Sequence, residues 1–204
     1  SEGQAEAAAI ILQNARYLKT MVDDIIDLSR NSFGELRIEI GDIDVAKVIS
    51  EVAESLRPQI EASGQRLDVR IEEKTPSIEA DDKRIRQIIF NLLQNAHVHT
   101  PEGTTIEISA VGTGPEVLIE VSDDGEGLPF ENPEDAFGSF RSGLATGGDP
   151  MTGSGIGLTI SRQLAELHRG TLEVESKAGE GTRFTLRLPV KRDAARKLVS
   201  PGDD

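Results

Sequence analysis

Four short segments of this chain carry residue types suited to binding a charged, hydrogen-bonding ligand, and they follow one another in order. The first is Asn91-Leu92-Leu93-Gln94-Asn95-Ala96. With Ile85, Ile89, Leu92 and Ala96 on the buried face of a helix, Asn91 and Asn95 fall one turn apart on a shared flank. Two carboxamides stacked in this way offer oxygens to a hydrated cation or donors to phosphate oxygens. The second, Val121-Ser122-Asp123-Asp124-Gly125-Glu126-Gly127-Leu128-Pro129, is a strand that ends in a carboxylate and runs into Gly125 and Gly127. A carboxylate can accept from the exocyclic amine of adenine, and the glycines let the backbone turn without side chains in the ring's way. The third, Gly153-Ser154-Gly155-Ile156-Gly157-Leu158-Thr159-Ile160, puts glycines before and within the first turn of a helix, whose unpaired N–H groups suit phosphate. No strand immediately precedes it, so a dinucleotide-binding Rossmann turn is excluded. The fourth, Gly179-Glu180-Gly181-Thr182-Arg183-Phe184, is a glycine turn entering a strand. Taken singly, each has a plain alternative: surface asparagines, an acidic turn, a hairpin.

The elements that must position these segments read as follows. Ile11, Ala15, Leu18, Val22 and Ile25 recur at helix-bundle spacing through the first thirty residues, a stripe that one helix cannot bury alone. Asn31-Ser32-Phe33-Gly34 breaks that period, which divides the chain into 1–32, 33–190 and a polar tail at 191–204. Strands are expected at Leu36–Ile40, Leu67–Ile71, Thr105–Val111, Val117–Ser122, Thr171–Glu175 and Thr182–Leu188. Helices are expected from about Asp44 to Ala62, from an Asp81 or Asp82 cap to His99, and from Ile156 to Leu167. Pro58 should perturb the first of these near its end. A Gly/Pro-rich loop region fills 124–153. The fold class is α+β: a two-layer α/β sandwich with a mixed, mostly antiparallel sheet, three helices on one face, and a bundle helix in front.

Composition narrows the function. Lys and Arg number 22 against 36 Asp and Glu, a net charge of −14, so nucleic acid is a poor partner. Without cysteine there are no disulfides, thiolate zinc sites or Cys nucleophile. Aromatics are 3% with no Trp, so the core must be built from Ile, Leu, Val and Ala. No stretch approaches the roughly 20 apolar residues that span a bilayer, and Ser1-Glu2-Gly3-Gln4 does not begin a secretory signal. The expectation is a piece of a larger cytoplasmic protein, itself without membrane contact.

In that order and spacing, the four segments resemble the N, G1, G2 and G3 boxes of the ATP-binding domain of bacterial sensor histidine kinases. Type II topoisomerase, chaperone and mismatch-repair ATPases belong to the same superfamily. Phe137-Gly138-Ser139-Phe140 resembles the F box, between G1 and G2. Val22-Asp23-Asp24-Ile25-Ile26-Asp27-Leu28-Ser29-Arg30 resembles the second helix of the kinase dimerisation domain, so the likeness covers about residues 5 to 190. It implies ATP and Mg²⁺ as ligands. Asp123 would take the adenine amino group, with Gly125, Gly127 and Thr182 lining the base and His99 stacking near it. Asn91 and Asn95 would hold Mg²⁺. Gly153, Ser154, Gly155, Ile156, Gly157 and Leu158 would surround the phosphates, and Phe137, Phe140 and Arg141 would border them. The partners implied are a second copy, through a helix bundle, and a response-regulator receiver domain.

One residue separates the branches. In the water-hydrolysing ATPases a Glu one turn before the box Asn serves as general base; that position here is Asn91, which cannot take a proton. The kinase branch is therefore favoured. Two departures support a different reading, a degenerate kinase-like module with weak ATP binding that acts through protein interactions. Val98 stands where the family commonly has Lys or Arg, and the lid, residues 141–152, holds Arg141 as its one cation, a place earlier than usual. The histidines are His97, His99 and His168. None matches the phosphoacceptor, which precedes an acidic residue on the first dimerisation helix, and His168 suits a contact with a helix C-terminus. The expectation is a chain that binds ATP without phosphorylating itself.

Overall fold

The computed structural model describes residues 38–138 and 156–191. The helix expected in the first thirty residues, the box residues Phe140, Arg141, Gly153, Ser154 and Gly155, lid 141–152 and most of the tail lie outside the described residues. The elements in order are β1 (Gly41–Ile43), α1 (Val45–Ala62), β2 (Arg66–Ile71), β3 (Ile78–Ala80), α2 (Asp82–His99), β4 (Thr105–Gly112), β5 (Glu116–Asp123), a short 3-10 helix (Pro133–Phe137), α3 (Gly157–Leu167), β6 (Thr171–Lys177) and β7 (Gly181–Pro189). Strands β2-β4-β5-β7-β6 form one sheet, parallel between β2 and β4 and antiparallel elsewhere; β1 and β3 pair separately.

Strand alternation decides which side of this sheet is covered. The pairing aligns Ile71, Ala110, Ile119, Leu186 and Leu172 in one row, and Val69, Ile108, Val121, Phe184 and Val174 in the next. These rows pack beneath α1, α2 and α3, whose buried residues include Ile49, Leu56, Ile85, Ile89, Leu92, Ile160 and Leu164. The other face carries charges tied across strands, with Arg70 on Glu107 at 2.9 Å and Arg187 on Glu173 at 3.5 Å. The expected α+β sandwich is thus the observed fold. Among the described residues no helix is long and apolar enough to cross a membrane.

Two local expectations are corrected, at residues 38–40 and 133–137. Ile38–Ile40 is not a strand; pairing begins at Gly41, where the chain meets β3, a short strand that the alternation pattern did not reveal. Helix α1 runs to Ala62 as expected and carries Pro58 on its exposed side. Residues 133–137, expected as loop, coil into the 3-10 helix, started by Asn132 Oδ1 accepting from the Glu134 amide.

A polar knot fastens the start of α2. Asp81, 8% exposed, caps the helix by accepting from the Arg84 N–H with Oδ1, while Oδ2 accepts from the Glu39 N–H at 2.8 Å. The Asp81 N–H donates to Nε2 of His168, at 3.0 Å, and His168 is 1% exposed. Since the Leu164 carbonyl, 2.7 Å from Nδ1, can only accept, Nδ1 carries the proton and Nε2 the lone pair. His168 therefore makes the expected contact with a helix C-terminus, and also joins α3 to the start of α2. His168→Leu keeps the bulk but strips the Asp81 N–H of this acceptor. Urea denaturation should show a loss of about 1–3 kcal/mol, with the midpoint shifted and the slope unchanged.

Candidate functional site

The apolar rows on the covered face of the sheet run out at one end. The next row in register is Leu67, Ile106, Asp123, Thr182 and Ser176. A carboxylate and two hydroxyls thus face the covered side where leucine and valine stand elsewhere. Asp123 is half-buried, and its Oδ1 accepts from the Gly125 N–H at 3.0 Å. Burial pushes the Asp123 carboxyl up from its ordinary pKa; the N–H groups of Gly125 and Thr182 pull it back in part, and neighbouring Asp124 adds to the rise.

The backbone around Asp123 closes tightly. Gly181 has φ of +87°, and a Cβ there would lie 1.9 Å from the Asp123 carbonyl oxygen, so only glycine lets β7 start flush against β5. The loop after β5 is laced to the β6–β7 hairpin: the Leu128 N–H donates to Ser176 Oγ at 2.8 Å, and the Gly179 N–H to the Glu126 carbonyl at 2.9 Å. Ser176 Oγ donates in turn to the Gly181 carbonyl at 3.1 Å.

Helix α2 brings the other groups alongside. Its C-terminal end meets the Asp123 loop, since a Cβ on Gly125 would fall 2.8 Å from Thr100 Cγ2. Gln65 fixes that end: Nε2 donates to the Thr100 carbonyl at 2.8 Å, and Oε1 accepts from His97 Nδ1 at 2.5 Å. Burial lowers the His97 pKa, so the ring is held neutral in a structural role. His99 is exposed at the last turn, beside the Thr100 that touches the loop, and Asn95 is half-buried one turn earlier.

Asn91 reaches across to α3. Its Nδ2 lies 3.2 Å from the Gly157 carbonyl and 3.3 Å from Ser161 Oγ. The carbonyl can only accept, so it is the amide nitrogen that bonds α3, which leaves Oδ1 without a part in that contact. Helices α1 and α2 start with aspartate caps, whereas Ile156 before α3 makes no side-chain cap bond. Ile156 has no polar side chain to cap the first turn of α3, and Asn91 sits at that corner; helix N-termini of this kind attract anions. Ile156 and Leu158 are themselves buried there. Among the described residues no group of three or more Asp, Glu or His is placed to hold a metal. An amide oxygen beside an anion site still fits a hard, largely hydrated divalent cation that takes its remaining ligands from the anion and from water.

Phe137 has a different setting. Only 7% exposed, its ring meets Phe184 edge-on at 6.2 Å and lies under the Arg162 guanidinium at 4.3 Å. Arg162 also pairs with Glu134 at 2.7 Å, and Thr159 Oγ1 donates to the Phe137 carbonyl at 2.9 Å. The aromatic side chain anchors the 3-10 helix to α3. The residues named from sequence therefore gather at two joined corners, Asp123, Gly125, Gly127 and Thr182 at one, and Asn91, Ile156, Gly157 and Leu158 at the other. Sequence reading missed Ser176, Gln65 and Ser161. Ser176 was detectable, because Leu172, Val174 and Ser176 keep one parity; the other two act between distant segments and left no local signal.

The raised Asp123 pKa has a consequence for stability. The folded state binds its proton more tightly than the unfolded state, so the ionised carboxylate destabilises the fold at neutral pH, and that penalty fades as pH falls through the folded pKa. Asp123→Asn should melt at or above the wild-type temperature at pH 7. Melting curves at descending pH should show the advantage shrinking toward the ordinary carboxylate range.

Residues 80–192 match the family model described as histidine kinase-, DNA gyrase B- and HSP90-like ATPase. The adaptive-response sensory kinase SasA of Synechococcus sp. (strain JA-3-3Ab) is 35% identical over 185 residues, covering 90% of this chain and 48% of that protein. The alginate biosynthesis sensor protein KinB of Pseudomonas aeruginosa is 30% identical, covering 92% of this chain and 31% of that protein. The chain thus spans about half, or less, of the length of the curated relatives it matches. The solved catalytic domain of histidine kinase ThkA superposes with a TM-score of 0.66 at 26% identity, covering 76% of this chain and 97% of that one. By family model, relatives and fold together, this chain belongs to the histidine kinase-, DNA gyrase B- and HSP90-like ATPases, within the sensor histidine kinases.

Proposed function

We propose that this chain is the ATP-binding catalytic part of a sensor histidine kinase, which donates the γ-phosphoryl group of ATP to a histidine on a dimerisation helix for onward transfer to a response-regulator receiver domain. The observation that carries this reading is the inward-facing Asp123, joined through the Gly125–Thr100 contact to the helix whose Asn91 touches the start of α3. Asp123 Oδ accepts from the adenine amine, and Thr182 and the glycine-bounded loop enclose the base. The first-turn amides of α3 face the phosphates. Asn91 Oδ1 and Asn95 would hold Mg²⁺, which neutralises phosphate charge when bound.

Asn91 sets the reaction class. A carboxamide cannot take a proton, so it leaves water unactivated and the phosphoryl group available to a better nucleophile. That nucleophile is none of the three histidines: His97 is buried with Nδ1 bound to Gln65, His168 is buried with both ring nitrogens bonded, and His99 belongs to the adenine end of the site. Residues 1–32 serve as the second helix of a dimerisation hairpin, residues 33–190 as the catalytic domain and 191–204 as a tail, in a cytoplasmic, dimeric parent protein.

Two measurements test this. Calorimetry with a non-hydrolysable ATP analogue and Mg²⁺ should show binding, weakened about 10- to 100-fold by Asp123→Asn, the range for a charge-assisted hydrogen bond. Absence of binding would favour the degenerate-module reading that Val98 suggests. Incubation with γ-labelled ATP should leave the chain unlabelled until an acceptor helix is supplied. Acid-labile label on His97, His99 or His168 would overturn the proposal.

A further inference from the structure

Ser161 is wholly buried in α3, yet it is polar and lies on the helix face turned toward α2. A carboxamide nitrogen has two hydrogens, and Asn91 Nδ2 finds two acceptors one helical turn apart: the Gly157 carbonyl at 3.2 Å and Ser161 Oγ at 3.3 Å. Turning the amide over would set Oδ1 against the Gly157 carbonyl, acceptor against acceptor, whereas the Ser161 hydroxyl can donate as readily as it accepts. The Gly157 carbonyl therefore selects one of two isosteric orientations, and Ser161 Oγ is the second tether that holds the amide in it.

From this geometry we infer that Ser161 is a positioning residue for the nucleotide site: it holds the Asn91 amide with its oxygen toward the ligand. The inference rests on the reading of Asn91 as a cation-holding residue in that site. The orientation has chemical content, because the oxygen end attracts a divalent cation and the NH₂ end repels it. Ser161 touches neither ligand nor cation in this scheme; it acts through Asn91. With the hydroxyl gone, the amide keeps one tether, the Gly157 carbonyl, and its oxygen is held less firmly in place for the cation.

The test is calorimetric titration of the full chain with a non-hydrolysable ATP analogue, in varied Mg²⁺ and in EDTA, for wild type, Ser161→Ala, Asn91→Ala and the double variant. Ser161→Ala should raise the Mg²⁺ concentration for half-maximal binding roughly threefold to tenfold, the worth of one hydrogen bond, and leave binding in EDTA unchanged. In the Asn91→Ala background the same substitution should do nothing further. Ser161→Cys, which keeps the size and a weak acceptor, should fall between wild type and Ser161→Ala. An effect equal in Mg²⁺ and EDTA, one that persists without Asn91, or no effect at all would overturn the inference. A wild-type chain whose binding ignores Mg²⁺ would instead overturn the underlying reading of Asn91.

Discussion

A carboxylate on the covered face of a sheet loses water and must be held there by its neighbours. Asp123 occupies such a position, one step beyond Val117, Ile119 and Val121 on the same side of β5. Much of the nearby structure answers to it. The N–H groups of Gly125 and Thr182 offset part of the desolvation. Gly181 removes the side chain that would collide with its backbone. Ser176 and Thr182 continue the polar row across the hairpin. A group that destabilises the fold when ionised has to be justified by what it binds, and an inward carboxylate at the mouth of an otherwise apolar layer is suited to a neutral amine on a flat ring.

The second corner depends on how the helices meet. Aspartates cap α1 and α2, so their first turns are already served by their own chain. Helix α3 begins at Ile156, whose side chain cannot cap, against a carboxamide from α2. Anion binding in a chain of net charge −14 then needs no surplus of lysine, because oriented backbone dipoles act over a few ångströms, where net charge does not decide the outcome. The Asp81–His168 knot keeps the two helices in register at their far ends, where the chain entering at Glu39 is also tied down.

Much of this was legible in the sequence because strand parity is. Three strands change from apolar to polar at the same sheet end, Val121 to Asp123, Val174 to Ser176 and Phe184 back to Thr182, and all three changes can be read from alternation. The helix flank shared by Asn91 and Asn95 follows from the 3.6-residue period in the same way. What stayed hidden was either too short or too distant. Strand β3 has three residues, too few for a period, and β1 pairs only because β3 is there. The aromatic Phe137 was read as a ligand neighbour, whereas Arg162, Thr159 and Phe184 draw it into the core from segments 22 or more residues away. The orientation of the Asn91 amide comes from α3, 66 residues on. No local pattern encodes it.

The central claim is that Asp123 reads an exocyclic amine. Replacing that amine by a carbonyl, as in an inosine triphosphate analogue, leaves the sugar and phosphates intact and turns the donor facing Asp123 into an acceptor. Parallel titrations of the full chain with non-hydrolysable ATP and ITP analogues therefore isolate this one contact. The adenine compound should bind at least about tenfold more tightly to the wild type, since a site built for a hydrogen bond rejects the partner that lacks it. That preference should largely disappear in Asp123→Asn, whose amide can face either base edge. Equal affinities of the wild-type chain for the two analogues would contradict the account.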